Sequence, residues 1–199
     1  MRLSLKYLYR LLLSGLLIFE LLNNFSILHF PLSFTWAGLI LTLSVAWLGI
    51  EIISFISSKL TTRSLNNSAM IAITISLYFD AIGDINLYYQ NIASYDQWAH
   101  FIGGAAATMV AYSFIKNLSL SSKISLPKIG IYLFSIFTTT CLGSIYEIEE
   151  YLEDYFTGSH RLGDGPDTAN DLLLSLTGAV MIMIIAMAYN SFKDKNVHN

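Results

Sequence analysis

Six stretches of roughly 20 residues, at about 8–28, 33–57, 69–90, 97–116, 129–156 and 168–190, are mostly apolar. A helix rising ~1.5 Å per residue needs about that length to cross a hydrocarbon core ~30 Å thick. Composition agrees, since 54% of the 199 residues are apolar and only 13% are charged, about half the charged share of a soluble domain. Mean hydropathy is +0.56. The expected fold is all-α: one polytopic membrane domain over 1–199, with six transmembrane helices and a flexible tail at 193–199.

The first stretch needs a separate argument, because Arg2, Lys6 and Arg10 ahead of Leu11–Phe19 resemble a secretory leader. Leu21, Leu22, Asn23 and Asn24 follow where a small-residue cleavage site would stand, so the segment is read as a retained helix interrupted by Glu20. Pro31 is placed in the turn into the second helix, where its missing N–H does least harm.

The basic residues set the orientation. If the amino terminus is cytoplasmic, Arg2, Lys6, Arg10, Lys59, Arg63, Lys116, Lys123, Lys128, Lys193 and Lys195 all fall on that side, and only Arg161 falls opposite. Short loops rich in Lys and Arg stay in the cytoplasm. Both termini are therefore expected to be cytoplasmic, in the plasma (inner) membrane of a prokaryote. A net charge of −3 leaves no basic face for nucleic acid. Cys141, the one cysteine, excludes a disulfide framework and is read as a small core filler. The oligomeric state is not legible.

The acids are the anomaly. Eleven of the 14 carboxylates lie between Asp80 and Asp171, toward the outer leaflet or the midplane in this topology. Counting from the helix starts, Glu147 rises to ~27 Å and Asp80 to only ~16 Å. One charge at the bilayer centre costs about 2.5–3.5 kcal/mol on the gentler insertion scales. Spacings of three, four and seven residues share a helix face. They group Asp80 with Asp84, Asp96 with His100, Glu147 with Glu150 and Asp154, and Asp164 with Asp167 and Asp171. The outer half offers Arg161, His100, His160 and His29 as counter-charges, too few for so many acids. Shared protons or a bound divalent cation would resolve this. Oxygen-rich ligands with a minority of imidazole favour Mg, Mn or Ca over Zn.

Plainer readings apply to several residues. Glu149 and Glu153 are expected at headgroup level facing water, and His160 in a solvated loop. Glu51 is expected to snorkel or pair with Lys59. The Gly103–Ala107 run is read as a close helix contact rather than a phosphate loop. Asp96 and His100 could also simply satisfy each other.

Tyr95-Asp96-Gln97-Trp98-Ala99-His100-Phe101, then Tyr146-Glu147-Ile148-Glu149-Glu150, then Gly163-Asp164-Gly165-Pro166-Asp167-Thr168-Ala169-Asn170-Asp171 resemble the YjdF-like bacterial and archaeal membrane proteins, relatives of the VanZ-like family. The resemblance covers about Asp80 to Val180. Ser175 and Glu150 stand where VanZ-like chains carry Asn and often Gln. Those departures place the chain nearer the YjdF-like branch, away from glycopeptide resistance.

The expected site is a divalent-metal centre open to the outer leaflet, with Asp96, His100, Glu147, Glu150, Asp164, Asp167 and Asp171 as ligands. Asp80 and Asp84 stand below it as general base or support, and Arg161 as an anchor for phosphate. Metal can lower the pKa of bound water and stabilise developing charge, which suits hydrolysis or group transfer on a lipid or polyprenyl phosphate. Membrane lipid is the expected partner. A cation- or proton-coupled transporter or channel using the same carboxylates is the alternative.

Overall fold

In the computed structural model, which describes residues 5–197, all the elements are helices: α1 (Leu5–Asn24), α2 (Trp36–Thr61), α3 (Asn67–Ile85), α4 (Tyr88–Asn91), α5 (Tyr95–Leu120), α6 (Lys128–Thr157) and α7 (Gly165–Val197). The six long helices follow the six apolar segments. Of these, α2, α3, α5, α6 and α7 are long and apolar enough to cross a membrane, so the chain is a multi-pass membrane protein. Arg10, Glu20, Asn23 and Asn24 leave α1 short of that standard, yet it packs along α2 and α3.

Partners of α1's polar groups explain how it lies there. Arg10 meets Glu51 of α2 through Nε at 2.7 Å and Nη2 at 2.5 Å, with the Tyr9 hydroxyl donating to the same carboxylate at 3.0 Å. Glu51 therefore neither snorkels nor pairs with Lys59, because α1 runs antiparallel beside it and brings Arg10 within reach. Further along, the Tyr78 hydroxyl donates to the Leu12 carbonyl at 2.9 Å. Tyr9, Leu13 and Leu16 join Leu43, Ile50, Leu77 and Val110 in the apolar core between α1, α2, α3 and α5.

The third apolar segment ends earlier than its composition suggests. Leu87 has φ 59°, and this left-handed turn stops α3 at Ile85 and reverses the chain into α4. The reversal lets the Tyr89 hydroxyl reach back to Asp80 at 2.6 Å. At the carboxyl end α7 remains helical through Val197, so the expected loose tail is helical from Lys193 to that point. Arg2 and His198 lie outside the described residues, as do the side chains of Lys6 and Lys195. Cys141 is exposed on α6 rather than in the core. It shares an outward face with Phe134, Phe137 and Ile145, the face that lipid would cover.

Successive long helices alternate in direction. One end of the bundle gathers the ends of α1, α3 and α6 with the starts of α2, α5 and α7, and holds nearly all the acids. Lys59, Arg63, Lys116, Lys123, Lys128 and Lys193 mark the other. α5 is the central helix, packed on α3, α6 and most extensively on α7. That last contact is backbone to backbone. A Cβ at Gly104 would stand 2.2 Å from the Ser175 carbonyl oxygen, and one at Gly178 2.1 Å from the Phe101 carbonyl oxygen. Small residues permit such approach where lipid supplies no hydrophobic drive between helices.

Gly103 makes the control. Its added Cβ would meet only the Ser76 hydroxyl, at 3.7 Å. Gly104→Ala should lower the thermal melting temperature of the detergent-solubilised protein, a loss of about 1–3 kcal/mol from overpacking. Gly103→Ala should leave it unchanged, and equal melting of the two variants would refute the contact.

Candidate functional site

The close α5–α7 contact sets two acidic helices side by side. Asp96 and His100, one turn apart on α5, face Asp171 on α7, while Glu147 and Glu150 approach from α6. His100 Nε2 lies 3.5 Å from Asp96 Oδ1 and 3.7 Å from Asp171 Oδ2, and its Nδ1 lies 3.9 Å from Glu147 Oε1. These separations exceed normal hydrogen-bond lengths. They leave room between the groups. Ligand atoms of Asp96, His100 and Asp171 fall within 4.8 Å of one another, as do those of His100, Glu147 and Glu150. Asp171 is 2% exposed and Glu147 6%, yet Asp171 Oδ1 and Glu147 Oε2 are buried with no hydrogen-bond partner. A buried carboxylate oxygen without a donor is costly. A bound cation would remove that cost.

Arg161 organises the other half of the chamber. It comes from the loop after α6, where Asp154 accepts from the Ser159 hydroxyl at 2.5 Å, Arg161 N–H at 2.6 Å and Leu162 N–H at 3.0 Å. Its side chain, 4% exposed, donates from Nε to Glu150 at 3.0 Å, and its Nη1 lies 3.5 Å from Glu153 and Nη2 4.0 Å from Asp80. Nη2 also donates to the Tyr146 hydroxyl, and the guanidinium stacks over Phe34 and Tyr146. Burial alone would push the Arg161 pKa down, but Tyr146, Asp80, Glu150 and Glu153 outweigh it and hold the group well above its ordinary value. Tyr146 in turn packs edge-on against the His100 ring, 5.9 Å between centroids. The two halves form one connected cluster of side chains, with Glu150 shared between them.

Below, Asp84 accepts from Ser33 and Phe34 N–H at 2.7 and 3.0 Å, anchoring the loop between α1 and α2 to the end of α3. Asp80 accepts from Tyr89, whose phenol is pushed well above its ordinary pKa by burial and by Asp80 and so remains a donor.

The structure thus links Asp80, Asp96, His100, Glu147, Glu150, Arg161 and Asp171 in one side-chain cluster, with Asp84 beside it. Asp164 and Asp167 are exposed, in an open depression lined with Pro166 and Asn170, with Asp167 within electrostatic reach of Asp96, His100, Glu147 and Asp171. Asp164 caps α7 by accepting Asp167 N–H at 3.0 Å. Arg161 meets protein carboxylates rather than a free surface. Glu153 does not face water: it is buried, accepts from the Thr35 hydroxyl and abuts Gly38. Glu149 is half-buried with both oxygens shielded and unpartnered. His160 is exposed, as its loop composition suggests. Tyr89 and Tyr146 are the partners that residue spacing does not show, because their hydroxyls reach the acids only through the α4 reversal and the Arg161 loop. Glu20, 1% exposed, is legible in retrospect as a single acid inside an apolar run.

Residues 8–192 match the family described as "Predicted membrane protein (DUF2238)". The chain belongs to this family. The YjdF-like proteins it resembles between Asp80 and Val180 are the same DUF2238 family. No curated protein and no solved structure is detectably similar to it. The DUF2238 match extends over all six long helices, so α1 and α2, which supply Glu20, Phe34 and Thr35 or the loop around them, belong to the family's fold as much as the acidic half does.

Removing Arg161 strands several buried carboxylates. Arg161→Met should cost about 3–5 kcal/mol, the range for breaking a buried pair on one side, read as a fall in melting temperature. Adding Glu150→Gln should recover part of that loss, and no recovery in the double variant would show that the pair is not coupled.

Proposed function

We propose that this protein binds a divalent cation between Asp96, His100 and Asp171, at the acidic end of the bundle, and uses it in hydrolysis or group transfer on an amphiphilic phosphate. The observation that carries the reading is the pair of buried, donor-free oxygens, Asp171 Oδ1 and Glu147 Oε2, on either side of His100. Two carboxylates and one imidazole suit Mn, Mg or Ca better than a thiophilic ion. A neutral imidazole offers one lone pair and one N–H. With Nε2 turned to the cation, Nδ1–H points at Glu147, the carboxylate–histidine arrangement that orients metal ligands. The open depression at Asp164, Pro166, Asp167 and Asn170 supplies an entry path beside the first turns of α7.

The cation would supply an activated water and a counter-charge for a phosphate. Asp80, held by Tyr89 and facing Arg161, is the carboxylate assigned to taking up a proton. Lateral entry of a lipid or polyprenyl phosphate is supported by the aromatic residues at this end. Trp98, Tyr151, Tyr155 and Phe156 are all more than half exposed, like the aromatic belt at a membrane interface. The basic residues at the opposite end support placing that end in the cytoplasm of a prokaryotic cell, with the acidic end toward the outer leaflet and both termini inside. Kinship with VanZ-like proteins, resting on Asp171 and Gly178, belongs to this proposal too.

A second reading, a cation- or proton-coupled transporter, is favoured by one specific observation. Glu20 is sealed inside the bundle with Oε2 unpartnered and lies within electrostatic reach of Asp80 and Asp84, extending the acids toward α1. Ion flux into liposomes that disappears in Asp80→Asn would establish it.

Protein purified without chelators should carry close to one equivalent of divalent metal by elemental analysis. His100→Ala and Asp171→Asn should lose it, and Asp164→Asn should keep it. A wild-type protein that neither retains nor rebinds Mn2+ would overturn the reading.

A further inference from the structure

We infer that Glu147 and Glu150 form a second cation position, adjacent to the first, for which the Arg161 guanidinium is the built-in competitor. The inference deepens the cation-site reading and rests on the same chamber. Ligand oxygens of Glu147 and Glu150 already lie within 4.8 Å of each other, and Glu147 Oε2 is buried and unpartnered. Glu150 is the contested residue. Its Oε1 accepts from Arg161 Nε at 3.0 Å, so an inorganic cation bound at Glu150 would share this carboxylate with the guanidinium.

Charge makes the competition direct. Around this point Glu150, Glu153 and Asp80 face one fixed cation, Arg161, while Glu147 faces His100. An incoming divalent ion at Glu147 and Glu150 would repel Arg161 across a few ångströms in a poorly screened interior. Arg161 sits on a loop rather than on a helix, and its Nη1 has no hydrogen-bond partner. One carboxylate, Asp154, holds that loop through three donors. With the His100 lone pair committed to the first position, the second offers carboxylate oxygens only, and so selects a hard cation such as Mn2+, Mg2+ or Ca2+. Withdrawal of Arg161 would convert a one-cation chamber into a two-cation chamber, the arrangement that grips both the attacking and the leaving oxygen in phosphoryl chemistry.

The test is Mn2+ equilibrium dialysis on the detergent-solubilised full chain, with electron paramagnetic resonance to detect coupling between neighbouring ions. Wild type should bind one equivalent, and Arg161→Gln two, with a spin-coupled spectrum. Arg161→Gln combined with Glu150→Gln should return to one. Arg161→Gln that is folded and holds no more Mn2+ than wild type overturns the inference while leaving the first site standing. Wild type binding none, with Arg161→Gln gaining one equivalent that Glu150→Gln removes, upholds the second position and rejects the first. If Arg161→Gln does not fold, Asp154→Asn decides, since it frees the loop while keeping the guanidinium. A second equivalent that wild type does not take up supports the competitor role, and an unchanged isotherm overturns it.

Discussion

Carboxylates withdrawn from water must find positive charge, protons or donors, and at one end of this bundle they outnumber the protein's own cations. Everything distinctive there follows from that shortage. Arg161 folds back from a loop to stand among Asp80, Glu150 and Glu153. His100 lies between acids on three helices. Backbone N–H groups of Ser33 and Phe34 are spent on Asp84. Even with these in place, oxygens of Glu20, Glu147, Glu149, Glu153 and Asp171 stay buried without a donor. The opposite end shows the contrast: Glu51 is met by Arg10, Tyr9 and Trp47 together, and has no unsatisfied oxygen among those buried groups.

Much of the fold was legible because lipid imposes a length on apolar runs, and six such runs correspond to the six long helices, with the largest departures at the ends of α3 and α7. The run at 69–90 ends early, because hydropathy is indifferent to a left-handed residue at Leu87, the turn that brings Tyr89 to Asp80. α1 reads as apolar by eye, yet its Arg10 and Glu20 are tolerable only through partners on α2 and the neighbouring α3, which periodicity along one segment does not reveal.

The site was legible where ligands sit one turn apart on a single helix, as with Asp96 and His100 or Glu147 and Glu150. Helical geometry puts such pairs on one face without any tertiary information. The same spacing says less where it falls at a helix boundary. Asp164 and Asp167 repeat the interval but surround the turn into α7, so Asp164 is used as a cap and both remain exposed. Glu153 was assigned to water because it lies near the end of a helix. The start of α2, with Thr35 and the side-chain-free Gly38, comes over it and takes that carboxylate inside.

The contact at Gly104 and Gly178 has a mechanical corollary. Helices touching through main-chain atoms can neither approach further nor slide past one another without collision, so Asp96, His100 and Asp171 are carried on a stiff base. α6 meets that base less tightly: a Cβ at Gly143 would be 3.7 Å from the Ser175 side chain, ordinary van der Waals distance. Any breathing of the chamber is therefore lopsided, with one wall acting as an anvil while α6 and the Arg161 loop supply the travel.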